Sequence, residues 1–292
     1  MAESTKRYAV VTGANKGIGF EICRQLASNG IVVVLTSRDE KRGLEAAQKL
    51  KDFGLSDYIL FHQLDVTNLS SVLSLANFIE THFKKLDILV NNAGVLGATI
   101  NDEALRASNF LKEQDHTKAN WSEIFMPSYE AAEAGIDTNY YGAKRMVEAH
   151  IGLLQRSDSP RIVNVSSVIG KLQYLSSEWA KGVLSDIENL TPEKVDEVVN
   201  VFLEDFKTGS SAATPAYVMS KAALNAYTRI LANKFPGFCI NCVCPGPVRT
   251  DINNHRGILS AEEGAESPVE LALLPNGGLT GCFFIRKEKS QF

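Results

Sequence analysis

No apolar run in the sequence approaches the roughly 20 residues that a membrane-spanning helix requires, and there is little net charge. Thirty Lys and Arg stand against 34 Asp and Glu in 292 residues, a formal charge of −4. That balance excludes a basic nucleic-acid surface and a polybasic membrane patch from the expected partners. Histidine is scarce, with five residues scattered without ligand spacing. Cysteine also numbers five, an odd count that fits reduced thiols better than a disulfide framework. Cys239 and Cys242 have the C-x-x-C spacing of a redox or zinc pair. They lie in a stretch that reads as a buried strand, where residues three apart point to opposite faces. No metal is expected. The first seven residues are polar, without a signal-peptide pattern, and 287–292 carry no prenylation or retention signal. A cytoplasmic protein is the expectation. No internal repeat and no linker divides the chain, so one domain over 1–292 is expected.

What the sequence has is alternation. With 45% hydrophobic and 22% charged residues, the chain can bury a sizeable core. Short apolar strands are predicted over 8–12, 31–36, 58–64, 86–90, 161–165, 238–243 and 281–285. Helices are predicted from 18 to the stop at Gly30, then over 41–51, 71–83, 129–154, 216–235 and 261–274. The run Ile31-Val-Val-Val-Leu-Thr36 has almost no polar alternation, the mark of a strand buried on both faces of a parallel sheet. Strands alternating with helices at this spacing argue for a doubly wound α/β sheet. Two segments break the rhythm. One is the polar, mixed stretch 97–128. The other is 168–216, which holds two helices, over 178–184 and 192–206, the second behind a Thr191 cap.

The turn after the first strand reads Gly13-Ala-Asn15-Lys16-Gly17-Ile18-Gly19. Glycines between a strand and a helix let the backbone approach a pyrophosphate, while the helix N-terminus offers free N–H groups and a positive dipole end. The second strand ends in Thr36-Ser37-Arg38, with no acid until Asp39. A carboxylate there would favour an adenosine 2′-hydroxyl, whereas a cation accommodates a 2′-phosphate. With Lys16 as a second cation in the glycine turn, the expected cofactor is NADP(H).

Tyr217 and Lys221 are four residues apart, on one face of the helix predicted there. A phenol ordinarily has a pKa near 10. An adjacent ammonium favours the phenolate and brings the group toward acid–base use.

Taken in order, Thr12-Gly-Ala-Asn-Lys-Gly-Ile-Gly19, Asn91-Asn92-Ala93-Gly94, Asn139, Ser167, Tyr217-x-x-x-Lys221 and Pro245-Gly246 resemble the short-chain dehydrogenase/reductase family over nearly the whole length. Longer runs around 15–23, 61–66, 157–167 and 220–229 resemble the plant branch that includes salutaridine, menthone:neomenthol and isopiperitenone reductases. The segment 261–275 is also similar to monomeric carbonyl reductases. The resemblance implies a Rossmann sheet of seven parallel strands in the order 3-2-1-4-5-6-7. It implies that Tyr217 protonates a carbonyl oxygen, that Ser167 hydrogen-bonds the same oxygen, and that Lys221 binds the nicotinamide ribose and lowers the Tyr217 pKa. Asn139 would hold a relay water. Asp65 and Val66 would border the adenine, and Asn92, Ala93 and Gly94 its ribose. Val248 and Thr250, after Pro245-Gly246, would meet the nicotinamide amide.

Fifty positions separate Ser167 from Tyr217, many more than in the family's core pattern. The extra segment is expected to cover the helix that carries Tyr217, a dimer face in oligomeric relatives, and to overhang the pocket as a lid. A monomer follows. Leu172, Tyr174, Leu175 and Trp179 fit an apolar pocket wall or a lid core. The expected reaction is reduction of a small apolar ketone or aldehyde, terpenoid or alkaloid, with C=C reduction of an enone or non-catalytic NADPH binding as alternatives.

Overall fold

Strand β1 (Tyr8–Val11) shows how the core is divided. Its Ala9 and Val11 enter one apolar cluster and Val10 the other, as the period of two requires of a strand buried on both faces. The computed structural model describes residues 6–107, 121–126, 128–208 and 214–292. After β1 come α1 (Gly17–Ser28), β2 (Val32–Ser37), α2 (Glu40–Leu50), β3 (Ile59–Gln63), α3 (Leu69–Phe83) and β4 (Ile88–Asn91). Two-residue strands β5 (Thr99–Ile100) and β6 (Phe125–Met126) pair antiparallel, with the short helices α4 (Asp102–Ala107) and α5 (Trp121–Ile124) between them. Helix α6 (Tyr129–Ile136), a π turn (Asp137–Tyr141) and α7 (Gly142–Leu154) form one long rod leading to β7 (Arg161–Val165). Helices α8 (Glu178–Ser185), α9 (Pro192–Lys207) and α10 (Ala216–Lys234) precede β8 (Cys239–Cys244), α11 (Ala261–Ala272), β9 (Cys282–Ile285) and β10 (Glu288–Ser290).

The main sheet runs β3-β2-β1-β4-β7-β8-β9-β10. Counted along the chain, its first seven strands are parallel and in the expected order. The eighth was not foreseen. It pairs antiparallel with β9 through a tight reversal at Arg286, whose φ is +54°, and three residues reading Glu-Lys-Ser show no apolar alternation to betray a strand. Because β1 lies between β2 and β4, the chain changes direction across the sheet there, and a crevice opens at the strands' carboxyl ends.

Helices α8 and α9 pack against α10. Val195, Val198, Val199 and Phe202 of α9 and Ala180 and Leu184 of α8 are buried. Each of these side chains other than Ala180 stabilises the dock by roughly 2 kcal/mol. Fourteen residues of α10 are buried, too many for a helix with one face free. Polar contacts fix the register. Asp196 of α9 accepts from Tyr140 Oη at 2.7 Å and pairs with Lys144 at 2.5 Å, while Arg229 of α10 donates to Leu184 O at 3.1 Å. The stretch 209–213 lies outside the described residues. All five cysteines are free and buried; the Cys239 thiol reaches Pro275 O and the Cys242 thiol Cys282 O, opposite ways as alternation requires.

His150 in α7 is fully buried. One ring nitrogen meets Met146 O at 2.8 Å, and Nε2 has no partner. Burial therefore lowers its pKa from 6.5 to about 4. The folded state holds this proton more weakly than the unfolded chain, so stability is full above the unfolded value and falls as pH drops from about 6.5 to 4. The expected loss approaches about 3 kcal/mol at the acid end. Urea denaturation at pH 7 and pH 5 should show it, with a smaller drop in His150→Leu; equal drops would remove His150 as the cause.

Candidate active site

A cavity of ≈ 1490 Å³ occupies the crevice at the carboxyl ends of the strands, room for a dinucleotide and a small substrate together. Every residue expected from the sequence to bind the cofactor or to take part in catalysis lines it except Asn139, whose Oδ1 lies behind Gly94.

Glycine at 13 and 17 is required by backbone sign, with φ of +62° and +57°. At Gly19 the reason is proximity: a Cβ there would fall 2.4 Å from Asn92 Nδ2 and 2.7 Å from Gly13 O. The loop after β4 is thus pressed onto the glycine turn. Thr12, which the sequence reading left without a role, fastens the two together. Its Oγ1 accepts from the N–H groups of Asn92 and Ala93, both at 2.9 Å. Asn92 Nδ2 donates back to Thr12 O at 2.9 Å and Gly13 O at 3.1 Å. Among the described residues no side chain caps α1, so its first-turn N–H groups, at Gly17, Ile18 and Gly19 on the cavity wall, can meet an anion.

At the adenosine end Ser37 is buried and Arg38 exposed, with Asp65 and Val66 across from them at the end of β3. Asp65 Oδ1 is engaged by the Thr67 N–H and hydroxyl at 3.0 and 2.7 Å. Two features were missed. Arg42 also lines the cavity. It stands in the first turn of α2, the positive end of the helix, where a cation is out of place; that misplacement was the available signal. Asp251 was missed as well. It pairs with Lys16 across the mouth of the groove, so one of the two expected cations is already engaged.

The catalytic candidates converge from three elements: α10, the end of β7 and the π turn. Tyr217 and Lys221 lie one turn apart on α10, with Lys221 Nζ 5.6 Å from the phenol ring centre. The ammonium donates to Val165 O at the end of β7 (2.8 Å). Beyond that strand the two serines part, as alternation demands. The buried Ser166 donates to Asn225 of α10 at 2.6 Å, while the extended Ser167 (φ −150°, ψ 151°) is partly exposed on the cavity wall. Asn139 lies within the π turn, a distortion common at functional sites. Its side chain is fully committed. Oδ1 accepts from Val95 N–H at 2.8 Å, and Nδ2 donates to Val95 O and Ser220 Oγ, each at 2.9 Å. The side chain therefore pins the loop after β4 to α10.

The electrostatics differ from expectation. Burial, not the ammonium, governs the phenol and raises the Tyr217 pKa. The same burial lowers Lys221 to about 8, which weakens the charge that was expected to favour the phenolate.

The substrate side of the cavity is apolar. Leu96, Ala98, Ile100, Leu105 and Phe125, from the segment after β4, pack into a small cluster of their own. Of the four lid residues named from the sequence, Tyr174 lines the cavity; Leu175 is buried beneath it, and Trp179 is 45% exposed. Among the described residues no three His, Cys, Asp or Glu side chains are placed to hold a metal ion, and no helix is long and apolar enough to cross a membrane.

Comparison with known proteins agrees with this geometry. Residues 7–178 match the short chain dehydrogenase family model. The chain is 58% identical to (+)-neomenthol dehydrogenase of Arabidopsis thaliana, with all of both chains covered. It is 53% identical to (−)-isopiperitenone reductase of Mentha piperita, over 98% of each. The solved salutaridine reductase of Papaver somniferum superposes with a TM-score of 0.86 at 51% identity, covering 96% of this chain and 99% of that one. With a glycine turn, a Tyr–Lys pair and a serine gathered on one Rossmann crevice, the chain belongs to the short-chain dehydrogenase/reductase family.

Proposed function

We propose that the chain is an NADPH-dependent reductase of a small apolar terpenoid or alkaloid ketone or aldehyde, giving the alcohol. The observation that carries this is that Tyr217, Ser167 and Lys221 line one cavity together with the apolar Leu96, Ala98, Ile100, Leu105 and Phe125. NADPH, when bound, supplies the hydride. The protein's part is to orient and to move one proton. Tyr217 Oη donates its proton to the carbonyl oxygen, a proton that a phenol holds at neutral pH. The Ser167 hydroxyl donates to the same oxygen and stabilises its developing charge. Lys221 holds the ribose hydroxyls. Since the Asn139 side chain is engaged, a relay water would use its main-chain carbonyl, in keeping with the irregular bonding of a π turn.

The residues present fit the cofactor. The glycine turn and the open α1 N-terminus take the pyrophosphate, with Asn15 beside them. Asn92, Ala93 and Gly94 meet the adenosine ribose, and Arg38 with Arg42 takes the 2′-phosphate. Pro245, Gly246, Val248 and Thr250 hold the amide end. The similarity to carbonyl reductase [NADPH] 1 of Mus musculus, 35% identical over 93% of this chain, supports the same coenzyme. Arg38→Asp should weaken NADPH at least tenfold relative to NADH, since a charge-assisted phosphate contact is exchanged for a repulsion; unchanged preference in a fluorescence titration would dismiss the assignment.

Reduction of C=C is the second reading, favoured by the similarity to isopiperitenone reductase. Tyr217 decides between them, because only carbonyl reduction needs a phenol aimed at oxygen. Given an enone and NADPH, the chain should yield the allylic alcohol, and Tyr217→Phe should lower that rate by at least a hundredfold. Saturated ketone as the main product, or turnover indifferent to Tyr217→Phe, would favour the other reaction.

A cytoplasmic monomer completes the proposal, supported by the burial of α10 under α8 and α9. Light scattering should give a mass near 31.9 kDa; twice that value would mean that another face pairs.

A further inference from the structure

Asp251 is an acid where a phosphate-binding groove should be basic. It lies on the strap that follows Thr250, and one carboxylate oxygen meets Lys16 Nζ of the glycine turn. The other receives His255 Nε2 at 2.8 Å. Lys16 and Asp251 are both about half exposed, at 56% and 51%. The pair therefore contributes little to stability, as surface pairs do. Its position is the informative feature. A recess of ≈ 260 Å³ opens beside the main cavity on the adenosine side, and its walls include Lys16, Arg42, Lys49 and Asp251. Three cations face it. The carboxylate of Asp251 is held at its edge on one of them, along with Glu45.

The strap that carries Asp251 is built to hold it there. A reciprocal cap joins Thr250 and Asn253, and Asn254 and His255 both take left-handed backbone, with φ of +50° and +59°. The far end is tied to α4, where Asp102 accepts from Asn254 at 2.9 Å and pairs with Arg256 at 3.0 Å. The carboxylate is thus delivered to Lys16 by an anchored element.

We infer that Asp251 is a determinant of coenzyme affinity, its carboxylate standing in on Lys16 for the 2′-phosphate of NADPH and being displaced when that phosphate binds. The inference rests on the NADPH reading above. A bound phosphate must displace the carboxylate from Lys16 and take over that cation, so Asp251 weakens NADPH selectively and speeds its release. NADH brings no phosphate to this recess and leaves the Lys16–Asp251 pair intact.

Direct titration of coenzyme fluorescence tests this without turnover. Asp251→Asn should bind NADPH about fivefold more tightly than the unmodified chain and bind NADH unchanged. In a Lys16→Ala background the same substitution should change NADPH affinity less than twofold, because the contested cation is gone. Unchanged or weaker NADPH binding in Asp251→Asn would overturn the inference, as would tightening that persists without Lys16 or extends equally to NADH. Those outcomes, with the unmodified chain still preferring NADPH, count against Asp251 alone. An unmodified chain indifferent to the 2′-phosphate would overturn the coenzyme reading and this inference together.

Discussion

The contact between the glycine turn and the loop after β4 is the constraint on which the rest depends. Gly19 approaches Asn92 to a distance that no Cβ allows, and Thr12 accepts both N–H groups that the bend exposes. This close approach does two things. It leaves the first turn of α1 facing an open crevice, and it sets the loop after β4 where Asn139 can seize Val95 from behind. Asn139 in turn reaches Ser220 on α10, one residue before Lys221. The phosphate end and the proton-transfer end are therefore joined by a continuous set of hydrogen bonds. A larger residue at 19 would disturb both ends, although only one touches phosphate.

Burial has the larger say at the proton-transfer end. A phenol with its ordinary pKa near 10 already holds its proton at neutral pH. Burial raises the Tyr217 pKa further, which keeps the proton and makes it harder to give up. The same burial acts on Lys221, whose charge becomes harder to hold. Its bond to Val165 O orients the ammonium, and the ribose hydroxyls of a bound coenzyme would supply further acceptors. In the proposed reaction Lys221 would serve first as an oriented donor, and as an electrostatic partner of the phenol only so far as its charge survives burial.

Much of this was legible before any coordinates. Strands β1, β2, β4, β7 and β8 are apolar on both faces, and such runs leave little choice beyond a parallel sheet covered by helices. Tyr217 and Lys221 could be named because their spacing puts them on one helix face, the glycines because they fall between a strand and a helix, and Ser167 because of its place in the order of family motifs. What was hidden depends on distant pairings. Strand β10 exists because Arg286 reverses the chain against β9, and its own three residues say nothing of it. Arg42 and Asp251 matter only because α2 and the strap after Thr250 are brought to the same recess from 209 positions apart in the chain (42 and 251). The apolar wall after β4 was read as polar and mixed, since its few hydrophobic residues are interleaved with charges and find one another only once β5 and β6 pair. Even the electrostatics of Tyr217 and Lys221 went astray for this reason: spacing reveals that two groups are neighbours and leaves open how much water they lose.

The long segment before α10 joins these strands of argument. A helix that carries catalytic groups on one side and apolar residues on the other needs a cover, and a second copy of the chain could supply one. Here α8 and α9 supply it from within, held by Asp196 and by Arg229. The same segment begins immediately after Ser167 and places Tyr174 on the cavity wall. Covering α10 and bounding the substrate space are thereby tasks of one stretch of chain. A change in its length or packing would alter the pocket and the exposed face of α10 together. On the proposed monomeric reading, substrate range and assembly state would be coupled through the packing of a single insertion.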